Sequence, residues 1–209
     1  MKYKNIIFDL GGVVIDINRK AAETALEQLG IVEAAHLLGE YEQKGIILLL
    51  EEGRVSDSEM YDSLLALCAP GTTCTDIMTA FEKFLVDIPV ERLRMIERIR
   101  NAGYKTFVLS NTNPIFFNNW IANAFRKDGK SINDYFDGIV VSFQVLACKP
   151  NPQIFKNLIS RYRLDPKETL FLDDSEANCS AGEAFGINTV CIIESGETSF
   201  NNVCESLLS

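Results

Sequence analysis

Five short runs of this chain are rich in β-forming, largely apolar residues: 3–10 (YKNIIFDL), 104–110 (YKTFVLS), 138–143 (GIVVSF), 169–173 (TLFLD) and 188–193 (NTVCII). Continuous apolar character, rather than alternation, is the pattern of strands buried on both faces, as in parallel sheets. Helical patterns lie between them, at 114–126, 152–162 and 176–185. Pro114 and Pro152 each follow an asparagine, Asn113 and Asn151, the arrangement of an N-cap and a proline in the first helical turn. Alternation of strand and helix predicts an α/β protein with a Rossmann-like parallel sheet core and right-handed crossovers.

One long stretch interrupts that rhythm. Residues 18–87 carry no convincing strand. Helical patterns recur there instead, at 21–29 closed by Gly30, at 32–52 closed by Gly53, at 56–67 and at 76–86. Ser56 followed three residues later by Glu59 is a capping box. The pattern predicts an inserted α-helical bundle, a cap domain of residues 18–87, on a core domain made of residues 1–17 and 88–209. Such an insertion sits over the carboxyl ends of the strands, where open α/β sheets bind ligands. Helix 90–100 leads back into the sheet.

Charge narrows the partners. The 209 residues carry a formal net charge of −9. Nucleic-acid binding rests on phosphate neutralisation by Lys and Arg, so no nucleic-acid partner is expected. The start turns acidic at Asp9 before an apolar leader accumulates, and the longest apolar run, 46–50, is far below the roughly 20 residues of a membrane span. No membrane association and a cytoplasmic location are expected. The six cysteines (Cys68, Cys74, Cys148, Cys179, Cys191 and Cys204) show no CxxC spacing and no neighbouring histidine, which argues against zinc. They read as reduced, small apolar residues.

Four polar clusters each follow a predicted strand, so a parallel sheet brings them to one edge. The first is Asp9 with Gly11 and Gly12. A carboxylate there can attack phosphorus, and the glycines leave room for a ligand. The plainer alternative is an Asp capping a turn. The second, Ser110-Asn111-Thr112-Asn113, offers a hydroxyl, an amide and main-chain N–H groups before a helix, as an anion cradle does; Asn113 also serves as an ordinary cap. The third is Lys149, a fixed charge before a helix, or else a solvated lysine. The fourth is Asp173-Asp174-Ser175. Two adjacent acids after a buried strand need neutralising, and hard oxygen donors suit Mg²⁺; a helix N-cap at Asp174 or Ser175 is the alternative.

Together the phrases FDLGGVV, VLSNTN, CKPNPQIF and LFLDDSEAN resemble the four motifs of the haloacid dehalogenase-like hydrolases. The likeness spans nearly the whole chain. It is to the subgroup with a helical cap after the first strand, and within it to bacterial sugar-phosphate phosphatases with a DLGNV- or DLGGV-type first motif. The resemblance implies a Mg²⁺-dependent phosphatase acting on a small phosphorylated metabolite through an aspartyl-phosphate on Asp9. Ser110 and Asn111 would hold phosphoryl oxygens and Lys149 would neutralise them. Asp9, the Gly11 carbonyl, Asp173 and Asp174 would bind the metal, with Asp174 rather than Asp173 in direct contact.

The chain departs from the family at Gly11, where many of these phosphatases carry a second Asp that serves as acid and base. Such help is worth about 10²–10⁴-fold. Either another group replaces it, Asp16 or a cap residue, or the leaving group departs without full protonation, as from an anomeric or acyl phosphate. Three competing readings remain open. A 2-haloacid dehalogenase typically lacks the acidic pair. A phosphonate hydrolase needs a cap lysine, and Lys44 has no distinguishing mark. A non-catalytic phosphometabolite-binding protein is the third.

Arg19, Lys44 and Arg54 are candidate cap contacts for substrate. His36 reads as a cap surface or packing residue, Phe116, Phe117 and Trp120 as core packing, and Glu51-Glu52 as a solvated face. The tail after Ser195 reads as polar and then weakly helical.

Overall fold

An unbroken apolar strand needs cover on both faces, and β1 (Asn5–Phe8) has it: all four residues are buried. The computed structural model describes residues 2–39, 45–126 and 129–209. After β1 come β2 (Asp16–Ile17) and the inserted helices α1 (Arg19–Gln28), α2 (Ala34–Leu37), α3 (Gly45–Glu51), α4 (Asp57–Leu65) and α5 (Cys74–Glu82). The chain returns through β3 (Leu85–Asp87) and α6 (Val90–Asn101) to β4 (Lys105–Ser110). A π-helix (Phe116–Ile121) runs into α7 (Ala122–Ala124), followed by α8 (Ile132–Tyr135), β5 (Gly138–Val141), α9 (Ser142–Val145) and α10 (Pro152–Tyr162). The last elements are β6 (Thr169–Asp173), α11 (Glu176–Glu183), β7 (Asn188–Cys191) and α12 (Phe200–Leu208).

The main sheet is five-stranded, in the order β5-β4-β1-β6-β7, and every pairing is parallel. This is the α/β core expected from the sequence. Successive side chains of a strand face opposite ways. Ile6 and Phe8 accordingly pack in one apolar cluster with Leu93, Ile96, Phe136 and Phe200, while Ile7 packs in another with Phe107, Leu109, Phe155 and Phe171. Phe200, Val203 and Cys204 of α12 are buried, so the tail covers one face of the sheet, and Arg98 pairs with Glu205 there.

The inserted helices have an apolar cluster of their own, including Ala22, Leu26, Ile47, Leu50, Leu64, Ile77 and Phe81. Phe84 and Phe116 pack against both this cluster and the sheet's, with their rings stacked at 6.4 Å. The capping box of Ser56 and Glu59 forms as expected. A second one, Thr73 with Asp76, starts α5.

Three local expectations are corrected. The segment between core and insertion is not strand-free: β2 and β3 pair antiparallel, so the predicted helix over 76–86 stops at Glu82. Strands of two and three residues are too short for any periodicity to register. The predicted helix over 32–52 is at least two pieces, α2 and α3, with residues 40–44 outside the described residues. The helix predicted over 114–126 has a π-helix, Phe116–Ile121, in its middle, with Asn113 accepting from Phe116 N at its start.

No helix among the described residues is long and apolar enough to cross a membrane. All six cysteines are unpaired.

Candidate active site

The order of the strands decides which clusters meet. β1 lies between β4 and β6, with Phe8 in register with Val108 on one side and Leu172 on the other. Asp9 is the first residue past that register, and its N–H donates to Leu172 O at 2.9 Å. Ser110 ends β4 and Asp173 ends β6, so these side chains leave neighbouring strands at one edge.

Lys149 reaches the same edge from the loop before α10. Its Nζ lies 2.8 Å from Asp9 Oδ1 and 2.6 Å from Asp173 Oδ2, with only 1% of the side chain exposed. Burial disfavours the ammonium, but Asp173 and Asp9 outweigh it and hold the pKa of Lys149 above its ordinary value. Asp173 is fully engaged. Its other oxygen accepts from Ser175 N and Asn178 Nδ2, both at 2.9 Å. Ser175 is the N-cap of α11, which leaves Asp174 outside the capping role.

Asp9, Asp173 and Asp174 each offer an oxygen within 4.8 Å of the others. Asp174 lies over Gly12, which has φ +74° and whose missing Cβ would stand 2.2 Å from Asp174 Oδ2. Three carboxylates face one ammonium, so negative charge is in excess. Burial, joined by the charges of Asp173 and Asp174 and opposed by Lys149, pushes the Asp9 carboxyl up to about 7. Burial, with Asp173, also raises Asp174. Hard oxygen donors, clustered and under-neutralised, fit a divalent cation such as Mg²⁺.

Ser110 is buried, and its hydroxyl makes only a long bond, 3.4 Å, to Asn111 O. The Asn111 side chain clasps the Lys149 main chain: Nδ2 donates to Lys149 O at 2.9 Å and Oδ1 accepts from Lys149 N at 2.7 Å. Ser142, a residue the sequence did not single out, accepts from Thr112 N at 3.0 Å and donates to Thr112 O at 2.9 Å, tying the loop after β4 to α9.

Asp9, Ser110, Asn111, Lys149 and Asp174 line one cavity of about 110 Å³ with Gly11, Arg19, Phe84, Phe116 and Glu51. Ligand pockets for drug-sized molecules run to roughly 300–1,000 Å³, so this one suits a small ligand. Arg19 Nε is buried without a hydrogen-bond partner among the described residues. Arg54 pairs with Glu52 at 3.0 Å and does not line the cavity, and Lys44 lies outside the described residues. Asp16 pairs with Arg92 at 2.8 Å and is likewise absent from the cavity wall. His36 is exposed on α2.

Glu51 corrects the sequence reading. It is not on a solvated face but 7% exposed, on the buried stripe of α3 with Ile47 and Leu50. Its spacing from Ile47, four residues, was the available signal; the adjacent Glu52 obscured it. Burial, joined by the charge of Asp9 and opposed by that of Lys149, pushes its carboxyl up to about 8. Stability held by neutral Glu51 is present below its ordinary value of 4.5 and is lost as pH rises through about 8.

A parallel α/β sheet with four polar clusters at one edge and helices inserted after its first strand defines a class of hydrolase, and the comparisons give the family. The profile of the haloacid dehalogenase-like hydrolases matches residues 3–186, and the chain belongs to that family. It is 38% identical to D-ribitol-5-phosphate phosphatase of Bacteroides thetaiotaomicron over 89% of this chain and 90% of that one. A crystal structure of a variant of a family enzyme from the same organism, in complex with magnesium and inorganic phosphate, superposes with a TM-score of 0.87. Identity there is 32%, covering 93% of this chain and 96% of that one. A family hydrolase structure from Porphyromonas gingivalis gives a TM-score of 0.83 at 34% identity, covering 91% of each chain.

Proposed function

We propose that this chain is a Mg²⁺-dependent phosphatase of a small phosphorylated sugar or polyol, with Asp9 as nucleophile and an aspartyl-phosphate as intermediate. The convergence of Lys149, Asp173 and Asp174 on a buried Asp9 carries this reading. The likeness to a ribitol-phosphate phosphatase and to a magnesium- and phosphate-bound structure supports it.

Asp9, Asp174 and the Gly11 carbonyl, backed by Asp173, would hold Mg²⁺, whose charge offsets that of the phosphoryl oxygens and the carboxylates. Ser110 donates its hydroxyl to a phosphoryl oxygen. Lys149 supplies the ammonium, which Asn111 holds in place through the Lys149 main chain. An Asp9 oxygen attacks phosphorus and the bond from phosphorus to the alcohol oxygen breaks. Water then attacks the phosphorus, releasing inorganic phosphate and restoring Asp9. Arg19 Nε, which has no hydrogen-bond partner among the described residues, donates to a substrate hydroxyl.

The test is phosphate release from a panel including D-ribitol 5-phosphate and sugar 1-phosphates beside their 6-phosphate isomers. Release should require Mg²⁺ and stop with EDTA. Phosphate-ester binding without turnover would instead make the chain a binding protein.

Gly12→Ala probes the cation cluster. The new Cβ would collide with the Asp174 carboxylate, so Asp174 must move. Weakening of Mg²⁺ binding by about 10–100-fold, the scale of disturbing a ligand's support, is expected by titration calorimetry. Unchanged affinity would remove Asp174 from the metal site.

A further inference from the structure

Hydrolysis of an alkyl phosphate expels an alkoxide, which needs a proton as it leaves. The described residues of the cavity wall leave few donors. Asp9 is the nucleophile. The Lys149 ammonium is shared between Asp9 and Asp173. A guanidinium such as that of Arg19 does not release its proton. Asp174 stands in the cation cluster, and Gly11 and Gly12, beside the nucleophile, have no side chains.

The geometry points to Glu51, carried into this cavity by the inserted helices, as the general acid that protonates the leaving alcohol and the base that then activates water. The proposal rests on the phosphatase reading above. Among the described residues Glu51 is the acidic side chain that the insertion contributes to the wall, which Ile47, Phe81, Phe84 and Phe116 also line. Among the described residues it has no ion pair and no hydrogen-bond partner for its carboxyl, whereas Glu52 next to it is taken by Arg54. An unpaired carboxyl in such surroundings keeps its proton.

Its position is fixed from the core. Two residues beyond it, Gly53 has φ +64°, and a Cβ there would stand 2.3 Å from Phe143 O in α9. The end of α3 is thereby seated on the element that follows β5.

The proton balance closes. As the alcohol oxygen separates from phosphorus, the Glu51 proton passes to it and the alcohol leaves neutral. The resulting carboxylate takes a proton from water as the water oxygen bonds to phosphorus and the bond to Asp9 breaks. Glu51 ends protonated, as it began.

The experiment compares the wild-type protein with Glu51→Gln on two esters in Mg²⁺: D-ribitol 5-phosphate, with a poor leaving group, and 4-nitrophenyl phosphate, whose leaving group needs no proton. The variant should lose about 10²–10⁴-fold in kcat on the alkyl ester, the usual worth of general acid–base help. In the first turnover it should release 4-nitrophenolate from the aryl ester nearly as fast as the wild type, since that step needs no proton, and this burst shows that it is folded. The fall of wild-type kcat on the alkaline side should vanish in the variant, and Glu51→Asp should recover part of the rate. Equal losses on both esters in the first turnover, a rise in KM alone, or no loss would overturn the proposal. Wild-type protein inactive on both esters would overturn it together with the phosphatase reading.

Discussion

Asp9→Asn should lower phosphate release by on the order of 10⁴–10⁶-fold, the scale for removing a nucleophile that works as a unit with its neighbours. The amide oxygen can still accept from Leu10 N, which donates to Asp9 Oδ1 at 2.7 Å, so the turn after β1 keeps its bond. What is lost is the anionic oxygen that attacks. The loss should not come from unfolding. The Asp9 carboxyl titrates at about 7, above its ordinary 3.8, with the attraction of Lys149 already included. A raised carboxyl means that ionisation weakens the metal-free fold as pH rises through that value. An uncharged amide avoids this cost, so without Mg²⁺ the variant at pH 8 should melt no lower than the wild type. Retained turnover in the folded variant would end the case for Asp9 as nucleophile.

Legibility from sequence followed the length scale of each feature. The five core strands were readable because each lies in a short, largely apolar run of β-forming residues, and so short a run between turn residues fits a buried strand better than a helix. The convergence of Asp9, Ser110, Lys149 and Asp173 was readable too, since each follows a strand and parallel strands share an edge. The β2–β3 ribbon was not, because Asp16–Ile17 and Leu85–Asp87 are too short to carry a pattern. Nothing in the composition of Phe116–Ile121 distinguishes a π-helix from an α-helix, since the two differ by one residue per hydrogen-bonded turn. The clasp of Asn111 on Lys149 and that of Ser142 on Thr112 join residues tens of positions apart, a register no local pattern encodes. Glu51 is the instructive case. Charge in a sequence suggests solvent, but helical spacing put this carboxyl on the apolar stripe, where it lines the cavity.

Lys149→Met should damage both the reaction and the fold. Methionine fills much of the volume of the lysine stem, and the Asn111 clasp uses only main-chain atoms of residue 149, so the loop should keep its path. The charge is what disappears. Asp173 is fully buried and loses the bond from Nζ, and Asp9 loses its counter-ion. Breaking a buried pair by removing one partner costs about 3–5 kcal/mol. For a chain of this size each kcal/mol lowers the melting temperature by roughly 2–4 °C, so a fall on the order of 6–20 °C is expected. The deficit should widen as pH rises through about 7, where Asp9 ionises even with Lys149 present. Mg²⁺ should recover part of it, because a cation among the carboxylates replaces some of the missing charge. Phosphate release should not recover alongside: in the proposed mechanism the ammonium also meets the charge that grows on the phosphoryl oxygens, a role worth about 10²–10³-fold. A variant that melts with the wild type at pH 8 without metal would mean that the three carboxylates do not depend on Lys149, and the electrostatic account of the site would fail.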